Sequence, residues 1–234
     1  MRGLFVTGTD TGVGKTQVAA AIARLMVNEN IAVRPRKPIE SGCTKTANGL
    51  IPEDALTLKT AALSDDSLDL ICPYQLQPAI SPERAAEQAG LQLSLSDLQQ
   101  ACVADVNADD FLLIEAAGGF YSPMAHQIRC SELAKRLNLP VLLVVADKLG
   151  CINHALLTAH AIEQAGLRLV AVVINQVLTD ENSAMDNQAD LENWLERRVI
   201  PIPRQHTTDM VWKNIAAHSA ELLQLARSNL FEQT

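Results

Sequence analysis

The chain has 234 residues, of which 48% are apolar and 20% charged, a composition of ordinary globular proteins that excludes disordered and fibrous classes. Its length suits one α/β domain, which we expect to span residues 1–234. The 19 basic and 27 acidic residues give a net charge of −8, which disfavours nucleic acid and anionic membranes as partners but allows a small anionic ligand held by a few local cations.

The cysteines and the N-terminal segment indicate the cellular compartment. Five cysteines form no C-x-x-C pair and are odd in number, so they predict neither a disulfide framework nor a zinc site. The N-terminus runs directly into an apolar strand, and no run reaches about 18 consecutive apolar residues. We therefore expect a cytoplasmic protein without export or membrane insertion.

Short apolar runs rich in β-branched residues alternate with longer segments of helical period, a pattern typical of βα units in a parallel sheet. Strands are predicted at residues 3–8, 31–37, 111–115, 140–146, 169–175 and 198–202. Helices are predicted at residues 15–29, 53–63, 94–107, 131–138, 151–166, 184–196 and 211–229. Three prolines and Gly90 interrupt the stretch 66–93, which we interpret as an insertion with a short helix after Ser81-Pro82. The predicted fold is α/β, with a mostly parallel central sheet and helices on both faces.

A glycine-rich loop, GTDTGVGKT at residues 8–16, follows the first predicted strand and precedes an apolar helix. Phosphate oxygens need several convergent N–H donors, which glycines let the backbone supply, and the helix N-terminus adds its positive end. In such a P-loop, Lys15 contacts the β- and γ-phosphates and Thr16 binds Mg²⁺. The loop therefore predicts a P-loop NTPase-type fold that uses ATP, with Mg²⁺ as its cofactor.

The spacing of this loop narrows the type of P-loop protein. A strict G-x-x-x-x-G-K-[ST] pattern needs glycine at position 9, where Thr9 stands, and Gly8 lies one residue earlier. ParA- and MinD-like ATPases share the Gly-x-Gly-Lys-Thr core but have a second lysine where this chain has Asp10. An ATPase switch of that kind remains an alternative function.

Six motifs occur in order over about three quarters of the chain. They are the loop at residues 8–16, Lys37-Pro38-x-x-Ser41-Gly42, Asp54-Ala55-Leu56, Glu115-x-x-Gly118-Gly119, the run from Lys148 to Ala155, and Asn175. Together they resemble the dethiobiotin synthetase family of P-loop NTPases. The resemblance implies a carbon–nitrogen ligase of biotin biosynthesis that closes the ureido ring of dethiobiotin from 7,8-diaminopelargonate, CO₂ and ATP. A paralogous ATP-dependent ligase with another carboxylate or carbamate substrate remains an alternative.

This reaction brings together two anions, a carbamate and a triphosphate, and needs fixed positive charge between them. Lys37 follows the second predicted strand beside the P-loop and, with Lys15, is expected to supply that charge. The alternative for Lys37 is a solvated lysine at a strand end. The resemblance implies that Thr11 and Ser41 orient the carbamate, although Ser41 alone is typical of a turn. The predicted catalytic residues are Lys37, Lys15 and Thr11.

Mg²⁺ prefers oxygen ligands, usually one or two carboxylates with phosphate and water. The predicted metal ligands are Thr16, Asp54 and Glu115. Glu115 follows a wholly apolar strand, and an acid beside such a buried strand is costly unless it is paired or bound to a metal. It also lies at the edge of the sheet where ligands of parallel α/β proteins gather. The alternative for Asp54 is a helix N-terminal residue favoured by the helix dipole.

The resemblance also implies a wider set of contacts. The expected ATP-binding residues are Gly12, Val13, Gly14, Lys15, Thr16, Gln17, Asp54, Glu115, Ala116, Ala117, Gly118, Asn175, Gln176, Pro201, Ile202 and Pro203. The expected substrate-binding residues are Thr11, Ser41, Gly150, Cys151, Ile152 and Asn153. In the family, the helix that starts at Gly150 receives the substrate carboxylate across a dimer interface, which implies a homodimer. Asn175 is expected to bind adenine, with turn capping as the alternative. The chain departs from the family at Gly12, at Ala116 and at residues 204–206.

Overall fold

Six parallel strands form the central sheet of the protein, in a computed structural model that describes residues 2–177, 185–205 and 210–231. The strands are β1 (Gly3–Gly8), β2 (Val33–Arg36), β7 (Phe111–Gly119), β10 (Val141–Ala146), β11 (Leu169–Asn175) and β12 (Val199–Ile202). Their spatial order is β12-β11-β10-β1-β7-β2, and each neighbouring pair is parallel. The predicted mostly parallel sheet is confirmed.

Helices and three short strand pairs complete the described part of the chain. The helices are α1 (Lys15–Asn28), α2 (Glu53–Ala62), α3 (Leu68–Ile71), α4 (Pro82–Gln88), α5 (Leu95–Val103), α6 (Cys130–Leu137), α7 (Cys151–Gln164), α8 (Asn187–Leu195), α9 (Val211–His218) and α10 (Ala220–Phe231). The parallel pair is β3 (Ile39–Ser41) with β6 (Tyr74–Leu76), and the antiparallel pairs are β4 (Thr44–Thr46) with β5 (Gly49–Ile51) and β8 (Pro123–Ala125) with β9 (Ile128–Arg129).

Apolar side chains leave both faces of the sheet and form two buried layers. Along β1, Phe5 packs into one layer, whereas Leu4 and Val6 pack into the other. Helices α4 to α8 contribute to the first layer, and α1, α2, α9 and α10 contribute to the second. Strands that are apolar on both faces need such double coverage, so the prediction of helices on both faces is confirmed.

Several predicted boundaries were wrong for reasons that lie in tertiary contacts. Strand β7 continues to Gly119, because Gly8 pairs with Gly119 after a shift of register, and Glu115 therefore lies inside the strand rather than at its end. The helix predicted at 94–107 ends at Val103, where the next carbonyl, of Ala104, accepts a hydrogen bond from Arg36. The predicted helix 211–229 is two helices, because Ser219 interrupts it and its hydroxyl oxygen accepts the N–H of Leu222.

Further boundaries differ by a few residues. Strand β2 starts at Val33 rather than residue 31 and ends before Lys37. Helix α8 starts at Asn187, after Asp186 accepts the N–H of Ala189 as its cap. Residue 184, the predicted start of that helix, lies outside the described residues, as does His206. The expectation of one domain over residues 1–234 stays a proposal.

The insertion predicted at 66–93 contains α3, β6 and α4, and α4 confirms the helix expected after Ser81-Pro82. Two contacts attach the insertion to the sheet beside the P-loop. Asp66 accepts hydrogen bonds from Arg34 (2.8 Å) and Arg36 (2.7 Å), and the backbone N–H of Lys37 donates to the carbonyl of Ile71 at 2.9 Å. The insertion therefore helps to fix the position of Lys37.

Asp110, directly before β7, is a buried acid that stabilises this end of the sheet. Its Oδ2 accepts hydrogen bonds from Arg34 (3.0 Å) and from the backbone and side-chain N–H groups of Asn107 (2.8 and 3.2 Å). Burial raises the pKa of this carboxyl, but these bonds and the charge of Arg34 outweigh it and hold the pKa below its usual value. The stabilisation is therefore present above the pKa of the unfolded chain and is lost as the pH falls through the folded pKa.

We expect Asp110→Asn to lower the free energy of unfolding by about 2 kcal/mol at pH 7, because one oxygen of a charged hydrogen-bonding group is replaced. The difference from wild type should shrink as the pH falls from about 5 to about 2. Urea unfolding across this range measures it. The neighbouring Asp109→Asn, whose side chain is fully exposed, is the matched control and should change little. If the free energy of unfolding of Asp110→Asn stayed below that of wild type by the same amount at every pH, the ionised Asp110 carboxylate would not be the source of the stabilisation.

The described residues also bear on the compartment and the membrane. No helix within these ranges is both long and apolar enough to cross a membrane. All five cysteines are free thiols with buried side chains. The expectation of a cytoplasmic protein stays a proposal.

Candidate active site

A cavity of about 670 Å³ lies where β1 and β7 end, between the P-loop and the insertion. Its P-loop wall includes Thr11, Gly12, Gly14, Lys15, Thr16 and Gln17. Its other walls include Lys37, Glu40, Ser41, Asp54, Ala79, Ile80, Ser81, Pro82, Glu115, Ala117, Gly118, Ser122 and Pro123. Most predicted catalytic, metal-binding and phosphate-binding residues thus share one cavity.

The P-loop takes its shape from two positions where a side chain would not fit. Gly14, which precedes α1, has φ 92°, and a Cβ there would lie 2.1 Å from the side-chain nitrogen of Asn175. At Gly8 a Cβ would lie 2.7 Å from the side chain of Val13. Lys15 is 6% exposed and extends back over the loop, where its Nζ donates to the carbonyl of Asp10 at 2.8 Å. Burial lowers the pKa of Lys15, whereas the charge of Glu115 opposes this shift.

Four side chains from separate parts of the chain meet at the floor of the cavity. The ammonium of Lys37 lies 2.7 Å from Glu115 Oε1 and 2.9 Å from Asp54 Oδ2. The hydroxyl of Thr16 lies 2.8 Å from Asp54 Oδ1 and 2.9 Å from Glu115 Oε1, and its single proton serves one of them at a time. Lys37 is 3% exposed and Glu115 is 1% exposed, so the pair is desolvated.

The charges in this cluster shift one another's pKa values. Burial would lower the pKa of Lys37, but the charges of Glu115 and Asp54 raise it well above its ordinary value. Burial raises the pKa of Asp54, but Lys37 reverses the shift and the result is lowered. Burial keeps the pKa of Glu115 raised, although Lys37 opposes it. The ammonium therefore stays charged between the two acids.

The oxygen atoms of the cluster fit a magnesium ion. Oε2 of Glu115 is buried and has no hydrogen-bond partner among the described residues, an arrangement that costs free energy unless a further group binds there. With Thr16 and Asp54 it offers hydroxyl and carboxylate oxygens, the donors that Mg²⁺ prefers.

Comparison with curated proteins identifies the family. A chain of Vesicomyosocius okutanii named ATP-dependent dethiobiotin synthetase BioD is 39% identical over 212 residues, which cover 85% of this chain and 95% of the relative. A protein of the same name from Marinobacter nauticus is 43% identical over 192 residues, covering 82% and 81% of the two chains. The chain belongs to the dethiobiotin synthetase family. A family model described as an AAA domain also matches residues 2–209.

Solved structures place this dethiobiotin synthetase family member in a wider fold group. The septum site-determining protein MinD from Pyrococcus horikoshii, in complex with Mg-ADP, superposes with a TM-score of 0.62 at 14% identity over 97% of this chain and 95% of that one. The ParA protein of pNOB8 bound to nonspecific DNA gives a TM-score of 0.58 at 12% identity over 100% and 99% of the two chains. At these identities the likeness concerns the fold alone.

Asn175, which the family resemblance relates to adenine, is 7% exposed, and its Nδ2 donates to the carbonyl of Val13 at 3.0 Å. This side chain therefore holds the P-loop from the end of β11. Its neighbour Gln176 accepts the backbone N–H of Arg204 through its Oε1 at 3.2 Å. Along β12 and beyond, Pro201 and Pro203 are exposed and Ile202 is buried in the core. The binding of adenine by these residues stays a prediction.

The remaining predicted residues lie at varied distances from the cavity. Val13 and Ala116 are buried beneath it, and neither side chain faces it. Gln17 lines it, and its Oε1 accepts the backbone N–H of Trp212 at 3.0 Å. The segment Gly150 to Asn153 at the start of α7 is not part of the cavity wall, because Cys151 is buried in the core and Asn153 is exposed elsewhere on the surface.

Sequence reasoning missed Glu40, which lies on β3 between Lys37 and Ser41. Its two carboxylate oxygens accept the backbone N–H groups of Asp54 and Ala55, each at 3.0 Å. Burial and the charge of Asp54 raise its pKa to about 7. The available signal was an acid between Lys37 and Ser41, at a position that the family motif leaves open. Ser122, which accepts the N–H of Gly119 at 2.7 Å, had no such signal.

Proposed function

We propose that this chain is an ATP-dependent dethiobiotin synthetase, a carbon–nitrogen ligase of biotin biosynthesis. Membership of the family supports the substrates 7,8-diaminopelargonate, CO₂ and ATP. The observation that carries the proposal is the position of Lys37, buried between two acids beside the P-loop. It supports a role for Lys37 as a fixed positive charge where a phosphoryl group and a carbamate would meet.

The reaction proceeds in three bond-forming steps. One amine nitrogen of 7,8-diaminopelargonate attacks the carbon of CO₂ and loses a proton, giving a carbamate. A carbamate oxygen then attacks the γ-phosphorus of ATP and displaces ADP, giving a carbamic–phosphoric anhydride. The second amine attacks the carbonyl carbon, loses a proton and expels phosphate, which closes the ureido ring.

The cavity suits the phosphoryl step most clearly. Lys15 is expected to leave the carbonyl of Asp10 and contact the β- and γ-phosphates, and the glycines of the loop present their N–H groups to the same oxygens. Lys37 faces the transferred group and neutralises charge that develops on it. Thr11 on the loop and Ser41 at the end of β3 both line the cavity and would orient the carbamate.

Thr16, Asp54 and Glu115 would hold Mg²⁺ through their oxygen atoms. When bound, Mg²⁺ neutralises phosphate charge and helps to orient ATP. The protein's own contribution is to keep these oxygen atoms close together before the ion arrives, since the Thr16 hydroxyl already lies within hydrogen-bonding distance of both acids.

We also propose that the protein is a homodimer, as the family resemblance implies. Leu149, just before α7, and Leu157, within it, are 85% and 63% exposed, so this part of the surface offers apolar side chains that a partner could cover. A partner chain on this face would bring the helix start at Gly150, which has no side-chain cap, towards a second active site.

Charge on this face is expected to disrupt the dimer. Leu157→Glu should shift the protein from dimer to monomer, because it would bury a carboxylate in an apolar contact. Leu63→Glu is the matched control, since Leu63 is also 63% exposed but follows α2. Sedimentation analysis at several concentrations distinguishes the two variants. A dimer that resists Leu157→Glu, or dissociates equally with Leu63→Glu, would place the interface elsewhere.

The enzyme assay tests the proposed function. The protein is incubated with 7,8-diaminopelargonate, bicarbonate, MgCl₂ and ATP, and the products are measured by mass spectrometry. We expect dethiobiotin and ADP in equal amounts, with ADP release dependent on the diamine. ADP release with a different amine and no dethiobiotin would support the paralogous ligase. ATP hydrolysis stimulated by DNA or vesicles, without any amine, would support a ParA- or MinD-like switch.

A further inference from the structure

We infer that Glu40 is a positioning residue, which holds the metal ligand Asp54 in place by capping the first turn of α2 from the neighbouring strand β3. This inference rests on the proposed function, because it takes Asp54 as a ligand of Mg²⁺. Glu40 touches none of the reacting groups in the arrangement seen, and it acts through Asp54.

Helix α2 has no cap of its own. It begins at Glu53 after Pro52, whose side chain offers no hydrogen-bond acceptor. The N–H groups of the first turn have no acceptor within the helix, so they need one from outside. Glu40 supplies acceptors for two N–H groups of this turn, one oxygen for Asp54 and one for Ala55, each at 3.0 Å. Ala55 is fully buried, and without Glu40 its N–H would be buried unsatisfied.

The cap and the metal site meet in one residue. The backbone N–H of Asp54 bonds to Glu40, and its carboxylate bonds to Thr16 at 2.8 Å and to Lys37 at 2.9 Å. A shift of the first turn of α2 would move this carboxylate away from both partners. Asp54 is also the more exposed of the two acids that contact Lys37, with 41% of its side chain accessible.

A local cap would satisfy the helix at lower electrostatic cost. Serine at position 52 would accept one of these N–H groups with a neutral hydroxyl, without bringing a carboxylate close to Asp54. A cap from β3 does something that a local cap cannot do. It ties the first turn of α2 to the strand that ends in Ser41, one residue beyond Glu40, and so couples the metal side of the cavity to its carbamate side.

Metal affinity in the ADP complex tests this role separately from turnover. Binding of Mn²⁺ to the protein with ADP is measured by electron paramagnetic resonance, and thermal unfolding without nucleotide checks that each variant is folded. We expect Glu40→Ala to weaken Mn²⁺ binding by about 10- to 100-fold, as loss of a group that orients a metal ligand does. Glu40→Gln keeps one acceptor oxygen and should lie between the alanine variant and wild type.

Ser94→Ala is the matched control. Ser94 caps α5 away from the cavity, where its hydroxyl accepts the N–H of Asp97 at 3.2 Å. Its loss should lower stability as removal of a helix cap does, with Mn²⁺ affinity unchanged. A drop in affinity with Ser94→Ala would mean that any weakened helix cap lowers binding, which would overturn the inference.

A double-mutant cycle shows whether Glu40 acts through Asp54. In an Asp54→Asn background, Glu40→Ala should cause little further loss of Mn²⁺ affinity. Equal losses in the two backgrounds, or wild-type affinity in Glu40→Ala and Glu40→Gln, would overturn the inference. If the wild-type protein binds Mn²⁺ with ADP but makes no dethiobiotin, the proposed function fails while the role of Glu40 is still supported by the cycle.

Discussion

Replacing Lys37 with alanine is expected to slow dethiobiotin formation by at least about 10²–10³-fold, the usual effect of removing one preorganised charge from a phosphoryl- or acyl-transfer site. The ammonium is 3% exposed and already lies between Asp54 and Glu115, so it needs no rearrangement to act. Turnover at saturating ATP and diamine measures the loss. Lys135→Ala, on the exposed side of α6, is the control and should keep full activity.

The structure also predicts a cost in stability for this variant. Without its ammonium, the almost fully buried Glu115 loses its partner, which costs about 3–5 kcal/mol in a buried pair. Lys37→Met combined with Glu115→Leu should recover much of that stability, because both members of the buried ion pair are then replaced by apolar side chains. The double variant should remain inactive. Activity close to wild type in Lys37→Ala would remove Lys37 from the mechanism.

Replacing Glu115 with glutamine is expected to have the second large effect. The amide keeps the size of the side chain but removes one negative charge from the predicted metal ligands. Lys37 also loses the carboxylate that lies nearest to its ammonium. We expect the Mg²⁺ concentration for half-maximal activity to rise by at least about 10–100-fold, since even outer groups that orient ligands have effects of this size. Activity titrated with MgCl₂ at fixed ATP measures the change.

Excess Mg²⁺ separates the two roles of Glu115. If the residue acts mainly as a metal ligand, high MgCl₂ should restore part of the turnover of Glu115→Gln, whereas Lys37→Ala should not respond. A variant with unchanged Mg²⁺ dependence would contradict the assignment of Glu115 to the metal. Glu132→Gln, on the surface at the start of α6, is a suitable control for loss of one carboxylate.

Much of the fold was accessible from the sequence because its strands are apolar on both faces and its helices have a clear period. The P-loop was predictable for a similar reason, since its glycines, lysine and threonine all lie within residues 8–16. Boundaries that depend on contacts with distant parts of the chain could not be predicted from the sequence. The extension of β7 to Gly119 needs Gly8 as its partner, and the break at Ser219 needs the hydroxyl to cap α10.

The candidate site likewise contains residues that the sequence predicts and a residue that it does not. Lys37, Asp54 and Glu115 could be selected because their motifs resemble a family, and the structure then brings them within hydrogen-bonding distance of one another. Glu40 could not be selected, because its partners lie 14 and 15 residues away and only the packing of β3 against α2 joins them. A single chain likewise cannot show what approaches the start of α7.

The fate of the carbamate oxygen tests the central claim most directly. The claim is that this cavity transfers the γ-phosphoryl group of ATP to a carbamate rather than to water. The protein is mixed with 7,8-diaminopelargonate, Mg-ATP and freshly dissolved C¹⁸O₂, and the phosphate is analysed by mass spectrometry before the label exchanges with water. We predict one ¹⁸O atom in each phosphate released with dethiobiotin. Unlabelled phosphate, or label taken up only from H₂¹⁸O, would contradict the account, because water would then be the acceptor.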